Sequence, residues 1–360
     1  MPERLMADCQ PMLIGSLPLK DHRKAVDLVW EYTPRIPSWV QLPAYPEELM
    51  VPQFAGGLPG LRTGKGRTAV DRSSSHYEEE LLAFYEEYMS VEDGSRHLDE
   101  SRFGLDDDRA RGFIAFLERL QAEAVSPLAL KGQVTGPITF CTGVHDERDV
   151  AIFYDSQLRD AGVKLLAMKA RWQIRKLAAF NRPVVIFCDE PALAGYGSSE
   201  FISISREDIL TCLREVVGAI HDEGALAGVH VCANTDWSLV LDSGADIVSF
   251  DAYEFFDRFV LYREQIIEFM NAGNIIAWGI VPTLDKEAIS KETAESLLQQ
   301  WKAKAGELEN MGIERSVLRA QSLITPSCGA GSLPPELAVK VLRLTREISD
   351  RLRPTWEKEG

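Results

Sequence analysis

From about residue 125 onward, short apolar runs alternate along the chain with longer stretches whose apolar positions recur at helical spacing. The short runs PLALKGQ (127–133), PVVIFC (183–188), LAGVHVC (226–232), DIVSF (246–250), IIAWGIV (275–281) and LRAQSLIT (318–325) predict strands, and PMLIGS (11–16) predicts one more near the start. Strands separated by amphipathic helices are the pattern of a parallel sheet with crossover helices. The segment SREDILTCLREVVGAIHDEG (205–224) opens with a capping-box pattern, Ser205 three before Asp208, and sets Ile209, Cys212, Leu213, Val216 and Ile220 on one face. That spacing makes Cys212 a packing residue. Further helices are predicted over 288–312 and over 334–353, the latter with Pro near its start. In the N-terminal third, 73–90 and 106–123 read as helices led by hydroxyl or acidic residues.

One region breaks the rhythm. Residues 35–68 are rich in Pro and Gly and predict a long excursion, a lid over a site. Its GLRTGKGRT looks like a phosphate-cradling loop, but Pro59 stands where the first Gly is needed, and Gly66 follows Lys65 where Ser or Thr is needed. Seven or eight strand–helix units without a clear linker predict an α/β fold, a single (β/α)8 TIM barrel over 1–360. A doubly wound open sheet is the alternative, since alternation alone does not decide closure.

Composition narrows the function classes. With 360 residues, 45% hydrophobic and 26% charged, the chain reads as soluble and globular and can bury a substantial core. Its apolar runs are far shorter than the roughly 20 residues a membrane helix requires. The N-terminus, MPERLMADCQPMLIGSLPL, puts Asp and Pro where a signal peptide needs an unbroken apolar stretch, so the expected location is cytoplasmic. Lys and Arg number 39 against 55 Asp and Glu, a formal charge of −16, with no basic run. Such a chain is a poor partner for nucleic acid. Six Cys spread over this length predict reduced thiols, not a disulfide framework.

The candidate chemistry lies at strand ends, where a barrel concentrates it. In VHVC, His230 and Cys232 are two apart, so a strand presents both on one face. LIGS ends in Ser16, VVIFCDEPAL delivers Asp189 and Glu190, DIVSFDAYE delivers Asp251 and Glu254, and LITPSCG delivers Cys328. One His, two Cys and a carboxylate are a donor set that tetrahedral zinc accepts. Structural zinc sites bring closely spaced ligand pairs, whereas these are scattered over about 100 residues and meet only through the fold, which favours a catalytic site.

In order and over nearly the whole chain, IGS, TGPIT, DEPAL, HVC and PSCG resemble the catalytic C-terminal half of cobalamin-independent methionine synthase. That half belongs to a superfamily with uroporphyrinogen decarboxylase and the zinc methyltransferases that act on corrinoid proteins. PSWVQLP, KGQVTGPIT and HVCANTDW look more like its short single-domain members. The resemblance implies His230, Cys232 and Cys328 as zinc ligands, with Asp251 where the family places a Glu as fourth ligand. It also implies that Ile14, Gly15, Ser16 and Asp189 hold an amino-acid substrate, Ser16 at its carboxylate and Asp189 at its ammonium. The longer members follow DEPAL with Arg-Glu; here Ala194 and Gly195 stand there.

The activity so implied is methyl transfer to a small thiol, most directly homocysteine giving methionine. A free thiol titrates near 8.5, roughly, and only the thiolate is nucleophilic; a divalent cation favours its formation. The short forms suggest methylcobalamin or a methylated corrinoid protein as donor. Methyl-folate as donor and coenzyme M as acceptor stay open. So do a metal-free decarboxylase acting on a carboxylated tetrapyrrole and a non-enzymatic zinc- or corrinoid-binding module.

Overall fold

The computed structural model describes residues 5–64, 67–122, 126–198, 201 and 203–356. Ten strands are formed among them: β1 (Gln10–Pro11), β2 (Leu61–Gly64), β3 (Arg67–Val70), β4 (Leu130–Thr135), β5 (His145–Asp146), β6 (Val184–Asp189), β7 (Leu226–Val231), β8 (Ile247–Phe250), β9 (Ile275–Val281) and β10 (Ser322–Pro326). Seven of them make one parallel sheet in the order β1, β10, β9, β8, β7, β6, β4, a half-barrel of TIM-barrel-like type. A small second sheet joins the hairpin β2–β3 to β5.

Helices surround the large sheet. Before β4 come α1 (His22–Tyr32), α2 (Met50–Ala55), α3 (Tyr77–Glu92) and α4 (Arg111–Ala122). Then α5 (Pro137–Gly143) and α6 (Ser156–Ala178) join β4 to β6, and α7 (Arg206–Asp222) joins β6 to β7. The short α8 (Trp237–Leu241) leads to β8, and α9 (Phe256–Phe259) and α10 (Arg263–Asn271) lead to β9. Next are α11 (Lys286–Lys291), α12 (Ala294–Asn310) and α13 (Arg315–Ala320), and α14 (Pro335–Trp356) closes the chain. No helix among the described residues is long and apolar enough to cross a membrane.

Side-chain alternation explains why this sheet has two apolar faces. On β6, Val185 and Phe187 join a cluster with Met12, Ile36, Ala129, Leu226, Ile247, Ile275, Ala277 and Leu323. Their neighbours Ile186 and Cys188 point the other way, into the larger core shared with the helices. Successive residues of a strand face opposite sides, so the first set fills the inside of the curved sheet and the second seats the helices. Continuing the inner set by two places Asp189 at the C-terminal end of β6, facing inward.

The edges of the sheet, β1 and β4, both meet residues 35–41. Ser38 bridges Lys131 and Gln41 bridges Ser16, each in parallel sense. The Lys131 amide donates to the Pro37 carbonyl at 3.0 Å, and the Gln41 amide to the Gly15 carbonyl at 3.1 Å.

Three elements differ from the sequence pattern. The 288–312 helix is two, because Thr293 begins a new one: its hydroxyl accepts from the Ser296 amide while the Ser296 hydroxyl accepts from the Thr293 amide. Residues 318–320 finish α13, so the strand expected over 318–325 starts at Ser322. PMLIGS is extended but only Gln10–Pro11 forms a ladder, and Ser16 then pairs with Gln41 instead of β10. The 35–68 excursion carries α2 and β2 and begins β3; its Lys65–Gly66 lies outside the described residues, as does residue 123 of the expected 106–123 helix.

Candidate metal centre

Ladder register assembles the first part of the site. Asp189 of β6 pairs with His230 of β7, and His230 pairs with Ser249 of β8. Register partners sit side by side on one face, about 4.8 Å apart, so the three form a row on the inner wall. Ser249 Oγ lies 3.0 Å from His230 Nδ1. Ser249 Oγ can accept from Nδ1–H, and in that tautomer Nε2 keeps its lone pair free. Nε2 has no hydrogen-bond partner although the residue is 2% exposed. Leaving such an atom unmatched costs about 1–3 kcal/mol, and metal ligation is one way to recover it.

Cys232 follows β7 directly, and Cys328 lies in the turn after β10. The ligand atoms of His230, Cys232 and Cys328 all lie within 4.8 Å of one another. Around a tetrahedral zinc, ligand atoms roughly 2.0–2.3 Å from the metal stand about 3.3–3.8 Å apart. The trio therefore needs to close by no more than about 1.5 Å. Hydrogen bonding from Cys328, with His230 nearby, holds Cys232 well below the usual thiol range. The same hydrogen bond and burial hold Cys328 well above it. The four other cysteines are buried and free, Cys212 among them on the packed face of α7.

The turn carrying Cys328 is anchored on both sides. The Ser327 amide donates to the Val281 carbonyl at 2.8 Å, and the Ala330 and Gly331 amides donate to the Ser16 carbonyl and hydroxyl at 3.0 and 3.2 Å. A Cβ on Gly329 would run into Ser16 Oγ. Glycine at 329 is thus what lets Ser16 approach the cysteine turn.

Ile14, Gly15, Ser16, Asp189, His230, Cys232 and Cys328 line one cavity of about 320 Å³. Its opposite wall comes from the excursion, through Gln41, Pro43, Glu48, Leu49 and Met50. Among the described residues the lining contains two acids, Glu48 and Asp189, and neither Arg nor Lys. Burial pushes the Asp189 carboxyl up to about 6, opposed by Lys131 and His230, and Asp189 Oδ1 has no hydrogen-bond partner. Asp251 stands apart from the three-ligand group: its Oδ1 accepts the Glu254 amide at 2.9 Å, and burial raises its carboxyl to about 6.

Glu190 has a structural task. Its carboxylate accepts the Ile138 and Thr139 amides at 2.8 Å each and the Thr139 hydroxyl at 2.7 Å, satisfying the first turn of α5. Sequence reasoning missed Ser249, Lys131, Gln41 and Glu48. Ser249 was within reach, since it lies two before Asp251 on the same strand face. Lys131 carried no signal in an apolar run, because a lone lysine there reads as a strand edge.

No family model matches the chain, and no curated protein matches it. Among solved structures, a Listeria monocytogenes protein provisionally named a vitamin-B12 independent methionine synthase superposes with a TM-score of 0.57 at 12% identity, covering 95% of this chain and 98% of that one. At that identity the likeness shows the fold, a methionine synthase-like one.

Proposed function

We propose that this chain is a zinc-dependent methyltransferase that converts homocysteine, a small thiol amino acid, to methionine. The observation that carries the reading is the buried, partnerless Nε2 of His230 facing two cysteine sulfurs in a cavity that also presents Asp189 and the Ile14–Ser16 turn. His230, Cys232 and Cys328 would hold the metal, and Ser249 would orient the imidazole. Zinc bound there would supply the positive charge that keeps a substrate thiol deprotonated at neutral pH. Asp251, close enough to His230 to feel its charge, is the carboxylate that would complete the set when no thiol is present. Asp189 would take the substrate ammonium, and Ser16 its carboxylate end. The apolar wall of Pro43, Leu49 and Met50 would exclude water from the transfer.

The donor of this reading is methylcobalamin or a methylated corrinoid protein, and the chain is read as one (β/α)8 domain over 1–360. Among the described residues the cavity lining holds no Arg or Lys to pair with several substrate carboxylates, which the tetrapyrrole decarboxylase reading calls for. The test is to load the protein with zinc and supply homocysteine with methylcobalamin, a methylated corrinoid protein or methyl-folate in turn, assaying methionine. Formation with one donor, lost in Cys328→Ser, supports the reading. One equivalent of zinc with no methionine from any donor overturns it.

A further inference from the structure

The reaction above leaves the buried Lys131 unused. Lys131 of β4 is 0% exposed and does not line the cavity. Its Nζ donates to the Ile14 carbonyl at 2.7 Å and to Gln133 Oε1 at 3.2 Å, and lies 4.9 Å from the centre of the Phe187 ring. Taking an ammonium out of water costs several kcal/mol, and two neutral acceptors with one ring face return only part of that. Asp189 shares its face of the sheet: Lys131 pairs with Val185, and its Nζ lies over Phe187, two before Asp189 on β6. The two charges oppose the effect of burial on each other, and Asp189 Oδ1 stays unpartnered. A charge that stabilises a carboxylate while leaving its acceptor atom open prepares that atom for another donor.

Both groups that Lys131 acts on, Ile14 and Asp189, do line the cavity. We infer that Lys131 is a positioning residue that selects ammonium-bearing thiols, by holding the Ile14 carbonyl in place and supplying the counter-charge to Asp189 while Oδ1 is left for the substrate ammonium. This inference rests on the reading of the site as one for an amino-acid thiol. A purely structural lysine would serve equally well as Met, which fills similar volume without a charge to bury.

The test needs binding alone. Homocysteine and 4-mercaptobutyrate, which keeps thiol and carboxylate and lacks the ammonium, are titrated calorimetrically into zinc-loaded wild type, Lys131→Met, Asp189→Asn and the double variant. Wild type is expected to prefer homocysteine by roughly tenfold to a hundredfold, the worth of one charge-assisted hydrogen bond. Lys131→Met should lose most of that preference with zinc content unchanged, and the double variant should be no less selective than Asp189→Asn. Equal weakening of both ligands in Lys131→Met, an intact preference, or no preference in wild type would each overturn the inference. If Lys131→Met does not fold, the 15N signal of Lys131 Nζ in wild type decides: homocysteine should shift it and 4-mercaptobutyrate should not, and equal shifts count against the inference. A selective site that forms no methionine from any donor would sink the proposed reaction and leave this inference standing.

Discussion

Replacing Ser249 by Ala removes one oxygen that touches neither metal nor substrate, and the account assigns it a measurable effect on metal affinity. Ser249 is fully buried, and its Oγ, 3.0 Å away, is the hydrogen-bond partner of His230 Nδ1. With Oγ gone, Nδ1 loses that partner, and the tautomer that frees Nε2 loses its support over the one that blocks it. Loss of such an outer partner costs about 10–100-fold in metal affinity, roughly 1.4–2.7 kcal/mol. Ser249 itself is closed to water, so the upper half of that range is expected. Competition with a chromophoric zinc chelator at fixed pH reads the affinity directly, and melting with the chelator in excess checks that the metal-free fold is intact. Zinc affinity within twofold of wild type would refute the assignment of Nε2 as a ligand atom.

Other expectations follow from the same contacts. Zinc should raise the melting temperature of wild type, by an amount equivalent to about 2.7 kcal/mol at a hundred times the dissociation constant, and should not raise that of Cys328→Ser; equal shifts in a thermal melt would place the metal elsewhere. Gly329→Ala should cost about 1–3 kcal/mol by overpacking against Ser16 Oγ. It should cost clearly less when added to Ser16→Ala, because the next Ser16 atoms lie at an ordinary 3.4 and 3.5 Å; additive costs in denaturant melts would contradict the geometry. Lys169, fully buried with Nζ donating to the Gly104 carbonyl, is pushed down to about 7 from 10.5 by desolvation. Between those values the unfolded chain binds the extra proton, so stability rises with pH, at about 1.4 kcal/mol per pH unit at most. Lys169→Met should therefore stabilise the protein at pH 7 with an advantage that fades as pH approaches 10.5; a pH-independent difference would show that Lys169 is not a buried charge.

How much of this was legible in the sequence depends on where each signal is stored. β9 matches its apolar run residue for residue, β6 shifts by one and β7 ends one residue early, because buried parallel strands write themselves as continuous hydrophobic segments. His230 and Cys232 were visible through the two-residue period alone. What stayed hidden depends on neighbours far along the chain. Ser249 matters only because register sets it beside His230. Glu190 looks catalytic in DEPAL until α5, some fifty residues earlier, is found resting on its carboxylate. Residues 35–41 read as irregular because Pro37 interrupts them and Pro34 and Pro43 flank them, yet their backbone binds both edges of the sheet. The break at Thr293 was written locally as a Thr and a Ser three apart, a weaker signal than the apolar periodicity on either side.

Zinc K-edge absorption on the stoichiometrically loaded protein addresses the metal centre most directly. The account requires a shell with one imidazole nitrogen at roughly 2.0–2.1 Å and two sulfurs at about 2.3 Å, one sulfur being lost in Cys328→Ser. A shell of oxygen and nitrogen alone, or two sulfurs that persist in that variant, would contradict it.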